Sequence, residues 1–562
     1  MADRARQKVL EEYRHPNRPL PDSMLAWELT GAGFDNLRLG ERKVSAPGQD
    51  QLLLRVDAVG ICVSDLKVID LGDKHPRLTG RDMARDPVVL GHECALTVVT
   101  AGEKLRDRFR VGDRFVIQAD IFHGGKWLTY GYILPGGLAQ FNLVGPEVLE
   151  GDEGCYLLPV DPSAGYAETA LTEPWACVVA SYRITPRRAP RAGGRAWVIG
   201  EAPAEKVLAG LPPAARPQKI VATRESEMPR PEALSGFVGE HAAGEGFDDI
   251  LILNATPAMI EAAVPAAARN GVIAFRAQRG AKGTVKLDIG RIHYDGILYA
   301  GTEADNVLEA YTEGRASSEL LERGTAWFVG GAGPMGQMHV LRAALLERGP
   351  AVLIATDLLA DRTAAVMERI SPAAEKNGKC LLAFDTASWQ KEETRQLVLE
   401  AGGKKTFDDI VIVAASAEAC EEAAPLLGQG GLMNIFAGVA RGTMARVDVS
   451  LLSRKGVRLV GSSGSRIADL EYTLKLTREG RIAPNQSVAG IGGFEAAKEA
   501  IEAVRDRRFA GKLVIYPHIR RLPLTALEDL RKTLPSVASL LGPMNTWTNE
   551  AEEELIARLV EW

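Results

Sequence analysis

Residues 324–330 read GTAWFVG and run directly into Gly331-Ala332-Gly333-Pro334-Met335-Gly336. Residues 326–329 have the pattern of a short buried strand, the glycines that of a turn, and 337–346 that of a helix. Glycines at this spacing permit a tight reversal and bring backbone close to a pyrophosphate, whose charge is favoured at a helix N-terminus. A second apolar strand, 352–355, ends in Thr356-Asp357, about 20 residues beyond the last glycine. A carboxylate there accepts hydrogen bonds from a ribose diol and repels a 2′-phosphate, which favours NAD over NADP. Strand, glycines, helix, strand and acid together predict a dinucleotide site built on Gly331, Gly333, Pro334, Met335, Gly336 and Asp357.

The same pattern occurs earlier. Residues 194–200 read GRAWVIG, and FDDI at 247–250 echoes FDDI at 407–410. The offset is 130 residues at the first pair (194 to 324) and 160 at the second (247 to 407), so the earlier copy is shorter by about 30 residues between them. Apolar strands alternate with Ala-rich helical stretches through both copies, about 195–323 and 324–466, which predicts two parallel sheets covered by helices. Glu201, Pro203 and Lys206 stand where the earlier copy would need its glycines. Glu201 and Glu205 add negative charge, Pro203 removes an N–H, and the strand end reads Thr223-Arg224 without an acid. The earlier copy is therefore expected to be structural, the other reading being a different ligand beside Arg224.

At 562 residues the chain is too long for one core, and three or four domains are expected. A net charge of −6 with no long Lys/Arg run gives no reason to expect nucleic-acid binding. No apolar run approaches the roughly 18 residues that span a bilayer, and the first twenty residues are polar and charged. Six cysteines (62, 94, 155, 177, 380, 420) are scattered without a C-x-x-C pair, a usage that fits reduced thiols and a cytoplasmic enzyme. Residues 1–22 read as a peripheral helix and linker, and 24–162 as β-rich, with alternation at 52–59 and 111–117. The basic, breaker-rich PRRAPRAGG at 186–194 reads as a boundary. A helix over 496–505 and a strand over 512–516 follow the second copy, and 523–562 reads as a helical tail with no legible chemistry.

Four segments carry a further constellation: VDAVGICVSDLK at 56–67, PVVLGHEC at 87–94, GGLAQF at 136–141 and TALTEPWACVVASY at 169–182. In this order, ahead of the glycine-rich fold, they resemble the zinc-dependent medium-chain alcohol and polyol dehydrogenases, in the branch of sorbitol dehydrogenases and sugar-phosphate reductases. The resemblance covers about 24–185 and 324–517, including GRIAP at 480–484 and GKLVIYP at 511–517. It implies an α/β protein: a GroES-like β-rich catalytic domain plus two tandem Rossmann-like doubly wound domains. The division it implies is an N-terminal extension (1–23), a GroES-like zinc domain (24–190), a degenerate Rossmann-like repeat (195–323), an NAD-binding Rossmann domain (324–466), a return to the catalytic domain (467–517) and a C-terminal helical extension (518–562).

The resemblance places one catalytic zinc on Cys62 and His92, with Glu93 as ligand or near-ligand and Glu173 beside the metal or its water. A mixed S/N/O set leaves a position open for a water or substrate oxygen, as catalytic zinc requires. Ser64 matches the hydroxyl that passes the substrate proton toward solvent, and Asp65 the acid that orients a ligand. A helix cap is the plainer reading of Ser64-Asp65, and the two roles are compatible. Val63 departs from the family's usual Gly, which is expected to narrow the pocket. Cys94 and Cys177 read as packed thiols. Residues 118–137 hold no cysteine and only His123, so a second, structural zinc is not expected.

The implied reaction is reversible oxidation of a secondary alcohol on a polyol or sugar, with zinc as Lewis acid and hydride passing to NAD. Ala415, Phe436 and Gly438 lie in strand-end segments where backbone should approach the cofactor. An alternative uses tightly bound NAD for transient oxidation in an epimerase or lyase, and a further one is a nucleotide-binding protein without turnover. Lys67, Lys74, Arg77 and Arg81 could face a phosphorylated sugar, though surface solvation explains each as well. No nucleic-acid or membrane partner is expected. The protein is expected to be a homodimer, or an intrachain pseudo-dimer in which the first repeat covers the edge of the second repeat's sheet. One zinc and one NAD per chain are expected.

Overall fold

The computed structural model describes residues 2–16, 18–227, 246–280, 282–387, 391–403 and 406–561. The chain divides into two compact units, Met1–Cys177 with Gly464–Trp562, and Val178–Ser463. The first division falls inside helix Tyr166–Ser181.

The first unit is built on an eight-stranded, largely antiparallel sheet. Its path runs Thr525–Ala526, Val488–Gly493, Lys512–Tyr516, Leu52–Gly60, Glu93–Ala101, Arg114–Ile117 and Leu157–Pro159, with Phe141–Val144 also paired to Leu52–Gly60. The alternation read at 52–59 does not mark a half-exposed strand, because all nine residues of Leu52–Gly60 are buried. Its polar members are partly satisfied inside the core, with Arg55 Nη1 and Nη2 left without a hydrogen-bond partner. Arg55 Nε donates to Asp57 Oδ1 at 2.7 Å, Thr97 Oγ1 donates to Asp57 Oδ2 at 2.5 Å, and the Arg55 guanidinium lies 3.6 Å over the Tyr13 ring. Tyr13 belongs to helix Ala2–Arg14, which packs on helix Asn549–Leu559 at the other end of the chain.

The second unit contains two parallel sheets. In the later repeat six strands lie in the order Cys380–Asp385, Val352–Asp357, Thr325–Val329, Phe407–Ile412, Leu427–Ile435, Arg458–Val460. Numbered along the repeat this is 3-2-1-4-5-6, the doubly wound order that reverses between strands 1 and 4. The earlier repeat shows the order Lys219–Thr223, Arg195–Ile199, Phe247–Ile252, Ala267–Arg276, Leu298–Thr302. That is the same topology without the third strand. Among the described residues no strand corresponds to Cys380–Asp385, in the stretch where the earlier copy is shorter. The α/β class with two Rossmann-like sheets stands as expected.

The duplication extends to individual hydrogen bonds. Trp197 Nε1 donates to Thr223 Oγ1 and Trp327 Nε1 to Thr356 Oγ1, both at 3.0 Å. The buried carboxylate of Asp249 accepts from the Arg191 N–H at 2.7 Å and the Tyr311 hydroxyl at 2.6 Å. Its counterpart Asp409 accepts from the Leu321 N–H at 2.8 Å and from Arg315. Each carboxylate thus ties the segment entering its repeat to the start of strand 4.

The repeats share one core, in which Trp197, Ile250 and Phe275 join Trp327, Ile410 and Met433. Thr284–Asp288 pairs antiparallel with Met444–Asp448, matching Thr284 to Asp448, Lys286 to Arg446 and Asp288 to Met444. Equivalent segments pairing with each other signify a local two-fold relation. Two glycines repeat it. A Cβ on Gly301 would meet Ser453 Cα at 2.9 Å, and one on Gly461 would meet His293 Cα at 3.0 Å. The edge strands Leu298–Thr302 and Arg458–Val460 also come into contact.

Candidate active site

The first cluster forms where two neighbouring strands of the eight-stranded sheet end. Gly60 lies opposite Glu93 in the ladder, and Cys62 follows two residues after Gly60 as the N-cap of helix Val63–Leu71. The junction thus places a thiol beside an imidazole and a carboxylate. Ligand atoms of Cys62, His92 and Glu93 lie within 4.8 Å of one another, the one such group of His, Cys, Asp or Glu found among the described residues. A Cβ on Gly60 would sit 2.1 Å from Glu93 Oε2, so this glycine makes room for the carboxylate.

Asp65 caps the helix and lies beside His92. Its Oδ2 accepts the Cys62 N–H at 3.1 Å, capping the helix, while its Oδ1 lies 3.5 Å from His92 Nδ1. That separation is longer than a hydrogen bond, and both atoms otherwise lack a partner. The other ring nitrogen, His92 Nε2, faces Ser64 Oγ at 3.4 Å. Val63 is 54% exposed. Burial works against a charged His92, but Asp65 and Cys62 outweigh it and raise its pKa well above the ordinary imidazole value.

Glu93 is fully buried and accepts on Oε1 from Lys512 Nζ at 2.5 Å, while Oε2 has no partner. Lys512 also donates to the Ile61 carbonyl at 2.9 Å. Burial lowers the affinity of Lys512 for its proton, yet Glu93 and Cys62 beside it raise its pKa overall. Glu173 is buried but outside the tight group of three. Burial, with Glu93 adding, pushes its carboxyl up to about 7 against the pull of His92 and Lys512. A buried pocket of thiol, imidazole and carboxylate with orphaned polar atoms fits a divalent cation of zinc's preferences.

Glu173 is carried by helix Tyr166–Ser181, and the first turn of that helix is held by the C-terminal tail. Glu552 accepts from the Tyr166 N–H, from the Ala167 N–H at 2.7 Å and from the Tyr516 hydroxyl at 2.7 Å. The tail, expected to lack chemistry, thus anchors a helix of the site. Arg77 and Arg81 are likewise not simply solvated. Arg77 bonds Thr129 Oγ1 at 2.9 Å and pairs with Asp120 at 3.2 Å, and Arg81 donates to the Tyr132 carbonyl at 2.9 Å. Lys67 and Lys74 are exposed. Cys94 is buried, with its pKa pushed up by burial, and Cys177 Sγ lies 3.6 Å from Glu173 Oε1.

The second cluster lies at the carboxyl edge of the six-stranded sheet. Gly333 is the N-cap of the twelve-residue helix Pro334–Leu345, with Pro334 at its first position and Met335 next. A Cβ on Gly331 would meet the Phe328 carbonyl oxygen at 2.8 Å, and one on Gly336 the Gly330 oxygen at 2.4 Å. At Gly333 the nearest atom would be Arg362 Nη1, 3.7 Å away. Two glycines are therefore needed for packing, while the middle one fronts open space beside a guanidinium, as pyrophosphate requires. Asp357 ends the second strand and accepts the Leu358 N–H at 2.8 Å. Ala415 follows the fourth strand, and Phe436 and Gly438 follow the fifth. The Phe436 ring stands edge-on to His339 at 4.3 Å. In the earlier repeat the matching helix, Ala204–Val207, has four residues and no glycine cradle, and Arg224 is exposed. The later site fits a dinucleotide, and the described residues of the earlier one lack its glycine turn and strand-end acid.

Sequence reasoning missed Lys512, Gly60, Glu552 and Arg362. Lys512 and Gly60 stand inside quoted motifs, but only the sheet pairing sets them against Glu93.

Residues 48–149 match the alcohol dehydrogenase GroES-like domain. Over 538 residues the chain is 24% identical to mannitol-1-phosphate 5-dehydrogenase of Aliivibrio fischeri, covering 93% of this chain and 96% of that one. An alignment of that extent includes most of the earlier repeat. L-sorbose 1-phosphate reductase of Klebsiella pneumoniae is 25% identical over 309 residues, covering 49% of this chain and 74% of that one. Among solved structures, an alcohol dehydrogenase of Thermotoga maritima superposes with a TM-score of 0.52 at 14% identity, covering 88% of this chain and 99% of that one, a likeness of fold. The resemblance read from the motifs is supported: the chain carries the alcohol dehydrogenase GroES-like domain and has polyol-phosphate dehydrogenases among its relatives.

Proposed function

We propose that this chain, with its alcohol dehydrogenase GroES-like domain, is a zinc-containing, NAD-dependent oxidoreductase acting on a secondary alcohol of a polyol or sugar. The observation that carries the reading is the convergence of Cys62, His92 and Glu93 ligand atoms within 4.8 Å. The near full-length likeness to a mannitol-1-phosphate dehydrogenase favours a phosphorylated polyol as substrate.

A bound zinc supplies Lewis-acid polarisation of the substrate hydroxyl, and NAD supplies the hydride acceptor. Cys62 Sγ, His92 Nε2 and Glu93 Oε2 are the donors for the metal, with Glu173 beside it. Asp65 orients His92 through Nδ1, leaving Nε2 for the metal. Ser64 Oγ, 3.4 Å from His92 Nε2, takes the substrate proton toward solvent. Gly331, Gly333, Pro334, Met335 and Gly336 hold the pyrophosphate, Asp357 the adenosine ribose, and Ala415, Phe436 and Gly438 flank the nicotinamide half. The antiparallel pairing of 284–288 with 444–448 supports an intrachain pseudo-dimer of the two repeats. No helix among the described residues is long and apolar enough to cross a membrane, and a cytoplasmic location belongs to this reading. The six-segment domain division belongs to it as well.

The test is a zinc assay joined to a screen of polyols and polyol phosphates with NAD and NADP. One zinc per chain and NAD reduction with a polyol phosphate are expected. Cys62→Ala should abolish turnover and leave NADH binding nearly intact; unchanged turnover would sink the zinc mechanism.

A further inference from the structure

The earlier repeat lacks the glycine turn of the later one, yet its helix Ile289–Asp295 delivers two polar side chains to the later repeat's strand ends. His293 is buried, and its Nδ1 lies 3.2 Å from the carbonyl oxygen of Ile435, the last residue of the fifth strand. That contact turns Nε2 toward Gly438, where it would stand 3.4 Å from a Cβ on that glycine. The Tyr294 hydroxyl would stand 2.8 Å from the same Cβ. Among the described residues this hydroxyl makes no hydrogen bond, and the two rings are fixed edge-to-face at 4.6 Å. The backbone beneath them is fixed too. Asp295 pairs with Arg291 at 2.9 Å and, across the repeat boundary, with Arg441 at 2.8 Å, and Arg441 lies 5.1 Å over the Tyr294 ring.

The counterparts of His293 and Tyr294 in the later repeat, 160 residues on, are Ser453 and Arg454. Arg454 is paired with Glu303 at 3.1 Å, so the reciprocal position carries an ion pair. The local two-fold relation is thus broken where it bears on function: one side offers a hydroxyl and an imidazole, the other a neutralised arginine.

In a doubly wound sheet the dinucleotide lies across the order reversal, with its two halves over the two halves of the sheet. With the adenosine ribose at Asp357 on strand 2, the strand 4 and 5 ends are left for the nicotinamide half. We propose that the earlier repeat completes the later repeat's cofactor site, His293 Nε2 and Tyr294 Oη contacting the nicotinamide ring and its carboxamide beside Gly438. The carboxamide carries both a donor and an acceptor, which an imidazole and a phenol can match. The glycine at 438 is what leaves room for that approach. This inference rests on the reading of Gly331–Gly336 and Asp357 as a dinucleotide site.

The experiment compares the full-length protein with Tyr294→Phe and with His293→Gln/Tyr294→Phe, titrating each with NADH and with ADP-ribose, which lacks the nicotinamide ring. The double variant should bind NADH about 10- to 100-fold more weakly and ADP-ribose with unchanged affinity, with Tyr294→Phe showing a smaller loss of the same kind. An equal loss for both ligands would indicate a structural role and overturn the proposal, as would unchanged NADH binding. If the unaltered protein binds neither ligand, the dinucleotide reading fails first and the inference falls with it.

Discussion

Lys512 Nζ lies 2.5 Å from Glu93 Oε1, with the two side chains 4% and 0% exposed. The residues are far apart in sequence and adjacent only because strands Lys512–Tyr516 and Glu93–Ala101 both flank Leu52–Gly60. The ammonium neutralises one oxygen of a carboxylate whose other oxygen has no hydrogen-bond partner.

Removing that ammonium leaves a buried carboxylate uncompensated, which costs about 3–5 kcal/mol when no other cation replaces it. Lys512→Met should therefore destabilise the chelator-treated protein by that order and the zinc-loaded protein by clearly less. Thermal unfolding with and without chelator measures both. Equal losses in the two states would show that Glu93 does not share its charge with a metal.

Glu552 accepts two backbone N–H groups at the start of the helix that carries Glu173. A charged acceptor there satisfies otherwise orphaned donors and favours the helix dipole. Glu552→Gln is expected to lower stability by about 1–3 kcal/mol, the worth of hydrogen bonds to a charged group. Denaturant unfolding is the measurement, and a change below about 0.5 kcal/mol, the scale of an ordinary surface substitution, would exclude the cap as a stabilising contact.

His518 is buried between Phe141 and Tyr13, and its Nε2–H donates to the Gln140 carbonyl at 3.0 Å. Burial, with Arg55 adding, lowers its pKa from 6.5 to about 4. Above pH 6.5 the ring is neutral in folded and unfolded chains alike, and the folded state carries no penalty. As pH falls from 6.5 toward 4 the unfolded chain takes up a proton that the folded chain refuses, so stability falls by roughly 3 kcal/mol. Urea midpoints across this window should decline more steeply for the unaltered protein than for His518→Gln. Parallel profiles would mean that His518 is not the group responsible.

On the proposed reading Asp357, at the end of the second strand, is the acid that meets the adenosine ribose, and Arg362 lies near Gly333. Asp357→Ser should weaken NAD by losing hydrogen bonds to the ribose diol and improve NADP by removing like-charge repulsion. A shift of at least tenfold in the ratio of the two dissociation constants is expected, equivalent to about 1.4 kcal/mol. Titration of both cofactors decides it, and an unchanged ratio would remove Asp357 as the selector.

The amino-acid sequence alone determined the duplication, the glycine turn with its acid, the loss of both in the earlier copy, and the Cys62, His92 and Glu93 motifs. These were legible because each is local: a turn, a helix start or a strand end needs particular residues within a few positions of one another. Only the tertiary structure decided that Lys512 meets Glu93, that Glu552 caps the helix of Glu173, and that Tyr294 stands beside Gly438. Each of those contacts joins segments distant in the chain, and each depends on strand order and on how equivalent segments pair, as Thr284–Asp288 does with Met444–Asp448. A lone lysine, glutamate or tyrosine carries no periodicity that would reveal its partner. Its meaning arises when a sheet brings the partner within hydrogen-bonding distance and burial removes the water that would otherwise compete.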